Sequence, residues 1–381
     1  MSASSVSVRP ITASEHRAHL EQFPRASFLQ LPAWAEVKKE WTAEYLGWFR
    51  DSSLVGSALV LHRPTPVVKY TLAYIPEGPV FDWEHEDFNE FLNPMIAHLK
   101  KNRVFMIKMG APLIRRSWKA ADVRKALSQG SASLISELPE AFASSRADFV
   151  AASLRAGGWR KEEAGEDFTV GQPEFQARIP LEDDGGAQLD VDGVLAQMNQ
   201  NARRETRKAA SGPLDVTVGG LEDIARFHTL YRETAERDEF TGRPQSYFEN
   251  MYTALNNHKP GTCTVYIASH EGVDLAAAIR VHSGKGAWYV YGASSALERK
   301  LFAPKALMHK MITDSVDEGC SFLDQGGVSG TLSKDHHLAG LTLFKTTLGC
   351  DVVQTLGEWD LTLNKFFTTA YEFYMKAREK K

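Results

Sequence analysis

The stretch from Tyr231 to Tyr247, YRETAERDEFTGRPQSY, runs helix-like into a turn-rich segment bearing Thr241, Arg243 and Tyr247. Such polar groups at the mouth of an element, where backbone N–H groups also lack partners, can hold an anion or a sugar. Lys38 ends FLQLPAWAEVKKEW, among Phe28, Trp34 and Trp41. There a lysine can reach a phosphate as a point charge, or it can be an ordinary solvated lysine at a helix end. Tyr289 and Tyr291 flank Val290 in a strand-like run, so alternation puts both on one face. From there they could stack on a base or pack into a core. Lys345 follows Leu343 and Phe344 in GLTLFK. A lysine where water is scarce can meet the negative charge that develops on an oxyanion; equally it can snorkel to the surface. In Asn201-Ala-Arg-Arg-Glu-Thr-Arg-Lys, residues Arg203, Arg204, Arg207 and Lys208 share one helix. That spacing can follow a phosphate backbone or form a solvated face balanced by Glu205.

Other chemistries find little support. The twelve histidines show no HExxH or HxH pattern, and Asp335-His336-His337 alone is weak evidence for a metal. Cys263, Cys320 and Cys350 stand far apart, which fits a reducing compartment rather than a disulfide frame or a zinc knuckle. There is no serine-nucleophile elbow, Walker loop or dinucleotide fingerprint. The start, MSASSVSVRP, lacks an apolar core and no apolar run is long enough to span a bilayer, so a cytoplasmic protein with at most peripheral membrane contact is expected. With 381 residues, 43% hydrophobic and 24% charged, and a net charge of −4, two globular domains are the default. Global charge gives no reason to expect a nucleic-acid packaging protein.

The elements that position these residues repeat one plan. YLGWF, the turn Asp51-Ser-Ser, LVGSALVLH, KYTLAYIPEGP, a helix over 88–101 and VFMIKM form the first copy. TVYIASH, the turn Glu271-Gly272, VDLAAAIRVH, AWYVYGASS, a helix over 305–318 and CSFLDQGGV form the second. Antiparallel strands followed by a helix and a further strand are the core order of the GNAT acyltransferase fold. The expected fold class is therefore α+β, with two tandem GNAT-like domains whose mainly antiparallel sheets are flanked by helices. The first domain is expected over 1–180 with a C-terminal helix, 364–381, docked on it by Phe366, Phe367, Ala370, Tyr371 and Tyr374. The second is expected over 181–363, after the linker Glu182-Asp-Asp-Gly-Gly186 and opening on a helix over 191–210. A GNAT enzyme grips acetyl-CoA with a glycine-bearing loop after the third strand. Here that loop reads Glu298-Arg-Lys-Leu-Phe-Ala-Pro304, without glycine and with a proline that has no N–H. A donor other than acetyl-CoA follows.

At this point FLQLPAWAEVK, AYIPEGPVF, TAERDEFTGRPQSYF, YVYGASS, FLDQGGV and GLTLFKTTLG, in this order, resemble the Fem-type (FemABX) aminoacyltransferases over nearly the whole chain. The missing coiled-coil arm is similar to the FemX-like branch. The resemblance implies transfer of glycine, alanine or serine from aminoacyl-tRNA to the side-chain amine of the peptidoglycan stem peptide, on UDP-MurNAc-pentapeptide or lipid II. It implies no cofactor beyond that co-substrate, a monomer, and contact with the inner membrane face. It assigns Lys38 and Arg243 to the acceptor's diphosphate, Thr241, Tyr247, Tyr289 and Tyr291 to the surrounding site, and Lys345 to catalysis. Arg203, Arg204, Arg207 and Lys208 are candidates for tRNA. The family's acid-proline pair after VFMIKM is replaced by Gly110 and Ala111, so a base at that place is in doubt. A coenzyme A-dependent acetyltransferase and a non-catalytic tRNA-binding protein are the alternatives.

Overall fold

Two hairpins show how local sequence sets the sheets. In the computed structural model, which describes residues 5–65, 69–84, 87–161 and 171–379, the strands Cys263–His270 and Val273–Ser283 are joined with His270 opposite Val273. The two linking residues, Glu271 and Gly272, have φ of 49° and 80°, the positive pair that a tight hairpin turn requires. Asp51, at φ 55°, turns Thr42–Arg50 into Ser53–Pro64.

The chain divides into two units. The first comprises Met1–Arg115, Ser144–Glu174 and Thr355–Lys381, the second Arg116–Ala143 and Phe175–Gln354. Arg116–Ala143 thus belongs to the second unit and not the first, and the later boundaries lie at 174/175 and 354/355 rather than 180/181 and 363/364. Strand Phe175–Pro180 pairs on both sides within the second sheet, against Phe322–Gly327 and Asp351–Thr355. The stretch Glu182–Gly186 is accordingly no linker between domains. It is a turn inside the second unit, closed by Asp183 Oδ1 accepting from the amides of Gly185 and Ala187. Glu358–Thr362 moves the other way, pairing with Val104–Gly110 in the first sheet.

Both sheets follow the same route. In the first, an antiparallel run, Val6–Pro10, Thr42–Arg50, Ser53–Pro64 and Thr71–Ile75, ends on a parallel pair of Thr71–Ile75 with Val104–Gly110, connected through helix Asn89–Lys101. In the second, Asp215–Gly219, Cys263–His270, Val273–Ser283 and Gly286–Ser294 lead to a parallel pair of Gly286–Ser294 with Phe322–Gly327, connected through helix Ala303–Asp317. Each has its own core, around Trp48, Phe91, Ile107 and Trp359 in one and Trp118, Tyr266, Leu307 and Leu323 in the other. The parallel pairs differ in one respect. Thr71–Ile75 stays paired to its end, Ile75 opposite Met109. Gly286–Ser294 pairs only over Gly286–Trp288, against Phe322–Asp324, and beyond Trp288 the two strands diverge.

Two helices depart from the sequence reading. The segment 191–210 is two helices, Val191–Ala196 and Gln200–Ala210. Asn199 breaks it by capping the second with its side chain on the Ala202 amide, the usual preference of asparagine. Helix Lys365–Glu379 lies in the first unit with Phe367 stacked on Tyr70 at 4.3 Å and Tyr371 against Phe105 at 5.4 Å. Phe366 is not on that face; it is 75% exposed. The side chain of Tyr374 lies outside the described residues.

Candidate functional site

The divergence of the parallel strands opens a cavity of about 640 Å³ in the second unit. It is lined by Gly292, Ala293 and Ser294 of the open strand, by Gln325, and by Phe344, Lys345 and Leu348. Phe302, Ala303 and Lys305 of the helix start, with Thr234 and Arg237, complete the rim. Arg237 holds the end of the open strand by donating from Nη1 to the Ser294 carbonyl at 2.7 Å, and the Ser294 amide donates to Thr234 Oγ1 at 3.1 Å.

Lys345 lies on helix Ala339–Thr347 and donates from Nζ to the Gly327 carbonyl at 2.7 Å. An ammonium has three donors, so this bond fixes the head group and leaves two for a ligand. Gly326 adopts φ of 78°, a left-handed conformation that favours glycine, and leaves Lys345 Nζ only an ordinary 3.8 Å from where a Cβ would lie. Burial lowers the Lys345 pKa from its ordinary value, with Cys350 and Asp324 acting the other way. The loop without glycine carries its turn differently from a conventional phosphate loop. Glu298 and Phe302 themselves adopt left-handed φ of 43° and 56°, which non-glycine residues adopt at a cost. Pro304 occupies the first turn of helix Ala303–Asp317, removing an amide donor there.

The two strand tyrosines are not on one face. Tyr289 pairs with Arg280 and Tyr291 with Ile279, so Val290 is an extra residue, a bulge that reverses the alternation. Tyr289 lines the cavity, and burial pushes its hydroxyl up to about 12. Tyr291 faces the other way, 5.0 Å from Phe248 and 6.4 Å from Tyr247. Gly292 is required by this arrangement, because a Cβ there would lie 1.5 Å from the Tyr289 hydroxyl. Gly292→Ala is expected to displace Tyr289 and to cost about 1–3 kcal/mol, the range for overpacking. Thermal unfolding measures this, and a change within about 0.5 kcal/mol of zero, as for an inert surface position, would contradict the packing.

Arg243 joins the Tyr291 face. Its guanidinium lies 4.4 Å over the Tyr247 ring and is a hydrogen-bond partner of Tyr291. Its backbone carbonyl accepts from His228 Nε2 at 3.2 Å. Next to it begins helix Gln245–His258, whose N-cap, Pro244, offers no side-chain cap and accepts at its carbonyl from the Tyr247 amide at 3.0 Å. Thr241 lies exposed in the preceding turn. Arg243, Tyr247 and Tyr291 therefore make one cluster, and Tyr289 with Lys345 another, on opposite faces of the open strand, while Thr241 is tied to the first only by its place in the chain. Lys38, in the first unit, caps helix Pro32–Val37 with Nζ 5.2 Å from the Trp34 ring.

The basic helix Gln200–Ala210 borders the cavity through Phe302, over whose ring Lys208 sits at 5.7 Å. Lys305 on the rim is paired with Glu205 of the same helix. Arg207 is held by Asp192 at 2.7 Å, while Arg204 is exposed and Arg203 half-buried. In the first unit a carboxylate does stand beside Gly110, supplied by Glu358 on the neighbouring strand. Its Cγ lies 3.8 Å from where a Gly110 Cβ would be, and Tyr74 donates to its Oε1 at 2.6 Å. Sequence spacing could not reveal it, since the two residues meet only through strand pairing. Arg237, Phe302 and Gln325 were likewise missed, because nothing local marks a cavity wall.

A sequence model of the FemAB family matches residues 11–271 and 261–376. The lipid II:glycine glycyltransferases of Staphylococcus aureus strains USA300 and MRSA252 are each 24% identical to this chain over 428 aligned positions, covering 93% of it and 92% of the relative. Because that alignment is longer than this chain, the relatives carry inserted residues that it lacks. Among solved structures, the crystal structure of FemX superposes with a TM-score of 0.78 at 22% identity, covering 96% of this chain and 99% of that one. A tandem GNAT protein from the clavulanic acid biosynthesis pathway gives 0.53 at 10% identity, over 94% and 99%. The fold is thus the tandem GNAT arrangement, and the chain belongs to the FemAB family.

Proposed function

We propose that this protein is an aminoacyltransferase that moves an amino acid from aminoacyl-tRNA to the side-chain amine of a peptidoglycan stem peptide, carried on UDP-MurNAc-pentapeptide or lipid II. The observation that carries the reading is Lys345. It is a restrained, half-buried ammonium lining a GNAT-type cavity whose entrance loop lacks the glycines for coenzyme A and whose rim touches a basic helix. The curated relatives' name supports glycine as the amino acid and lipid II as an acceptor. Such a donor and acceptor meet at the cytoplasmic side of the membrane; among the described residues no helix is long and apolar enough to cross it.

In this reading the attacking amine, with an ordinary pKa of about 10.4, loses a proton and bonds to the ester carbonyl carbon. The carbonyl oxygen takes the charge, and Lys345 donates to it. The C–O bond to the ribose then breaks, the leaving oxygen takes the second proton of the attacking amine and becomes the tRNA hydroxyl, and the first proton passes to solvent. Positioning the two substrates can supply roughly 7–11 kcal/mol. Arg243, Tyr247 and Tyr291 suit a nucleotide-sugar diphosphate, with Thr241 two residues before Arg243, and Lys38 of the first unit is by itself a phosphate-directed cation. Tyr289 shapes the acyl cavity instead.

Mass spectrometry of UDP-MurNAc-pentapeptide and of lipid II, after incubation with a mixed pool of charged tRNA, tests the proposal. A mass gain of one glycine residue is expected, and no gain on either acceptor would overturn it. The tRNA helix makes a separate prediction. Arg204→Ala with Lys208→Ala should lower the slope of log affinity for tRNA against log salt by about 0.7–0.9 per lysine or arginine removed, and an unchanged slope would exclude that face.

A further inference from the structure

The end of the second sheet remote from the cavity holds three metal-ligating side chains that the transfer reaction does not use. His282 lies near the end of strand Val273–Ser283, Glu318 caps helix Ala303–Asp317, and Cys320 stands just before strand Phe322–Gly327. Their ligand atoms all lie within 4.8 Å of one another. We infer that His282, Glu318 and Cys320 bind one zinc-class divalent cation, which ties the strand end to the helix end.

The hydrogen bonds of His282 carry the argument. Its Nε2 lies 3.0 Å from the Gly284 carbonyl. A carbonyl only accepts, so Nε2 bears the hydrogen and Nδ1 is the ring nitrogen turned to an ion. It lies 3.4 Å from Glu318 Oε2, so one cation can be bound by both. With zinc–nitrogen and zinc–oxygen bonds of about 2.0–2.2 Å, the edge of a tetrahedral site is roughly 3.3–3.5 Å. The other carboxylate oxygen, Oε1, already accepts from Arg280 Nη2 at 2.6 Å, so Oε2 is the one left for an ion. An imidazole that gives its second N–H to a backbone carbonyl, and a ligating carboxylate steadied by an outer donor, are the usual supports of metal ligands.

The mixed nitrogen, oxygen and sulfur set selects a zinc-like ion over magnesium or calcium. Thiolate and carboxylate together balance the dication, and the thiol proton passes to buffer on binding. Glu318 is exposed while Cys320 is fully buried, so a water can complete the shell from the Glu318 side. His282 pairs with Ala287, and none of His282, Ala287, Glu318 and Cys320 lines the cavity, so the role is structural.

Metal-free protein titrated with cobalt(II) tests this without any activity assay. Saturation at one equivalent is expected, with the strong visible bands of a tetrahedral ion and a near-ultraviolet thiolate-to-cobalt band, both lost when zinc is added. Cys320→Ser should abolish the thiolate band. Because Cys320 is buried, Glu318→Gln at the exposed carboxylate is the second variant. It should weaken zinc by at least the roughly 10–100-fold that loss of an outer partner costs. Absence of a thiolate band in the unmodified protein, or zinc uptake unchanged in both variants, as for adventitious binding at His336 and His337, would overturn the site.

Discussion

Lys345→Met is expected to lower kcat by about 10²–10³, the usual effect of deleting one oxyanion donor, with little change in acceptor KM. Methionine keeps the length of the side chain and fills the same apolar surroundings, so the loss isolates the ammonium. A fall in kcat without a matching rise in KM identifies an interaction made in the transition state. The pH dependence has a definite sign. Burial lowers the folded-state pKa of Lys345, so between that value and the ordinary one the unfolded chain binds more protons. Stability of the unmodified protein therefore rises with pH through this window, and the burial penalty is full below it. The methionine variant should be the more stable at neutral pH and should lack that dependence. Activity runs the opposite way, because only the ammonium donates: turnover should fall as pH climbs through the lowered pKa, below the ~10.4 of a free lysine. A variant retaining wild-type kcat would remove Lys345 from the chemistry.

Arg243→Ala is expected to act on the other parameter. Hydrogen bonds to charged groups contribute about 1.5–3 kcal/mol, so KM for the UDP-linked acceptor should rise roughly 10–100-fold at nearly constant kcat. Arg243→Lys should recover only part of this, since an ammonium lacks the planar fork that matches phosphate and stacks on Tyr247. Steady-state kinetics over both substrates separates the two sites. Equal losses in kcat and KM for both variants would contradict a division between Lys345 and Arg243.

How much of this was legible beforehand varied with the range of the interaction involved. The Glu271-Gly272 turn and the order of strands and helices are set by neighbours in sequence, and they read correctly. The helix at 191–210 did not, because a single asparagine side chain at 199 competes with the backbone and restarts it. Tyr289 and Tyr291 were placed together by a period of two that one additional residue, Val290, cancels. Bulges leave no composition signal when the extra residue is itself a good strand former. The acidic run at Glu182–Gly186 has the composition of a linker, yet Asp183 closes a turn against its own backbone, and Glu182 and Asp184 accept from Ser321 and Lys119. Glu358 beside Gly110, and His282 near Glu318 and Cys320, depend on strand pairing and helix packing between residues distant in the chain. Arg243 and Lys345 stand in short motifs that keep candidate chemistry adjacent in sequence, so they could be named before any fold was known.

The parting of the strands after Trp288 has a consequence for how this cavity can evolve. In the first unit the equivalent strands remain zipped to Met109, and their main-chain groups are consumed by one another. In the second, peptide groups released from the ladder become part of the wall. Recognition vested in peptide groups is indifferent to codon changes, and Gly292 and Ala293 have no side chain that alanine scanning would remove. Replacing the amides of Gly292 and Ala293 with esters would expose their share, as each swap deletes one donor while leaving every side chain in place.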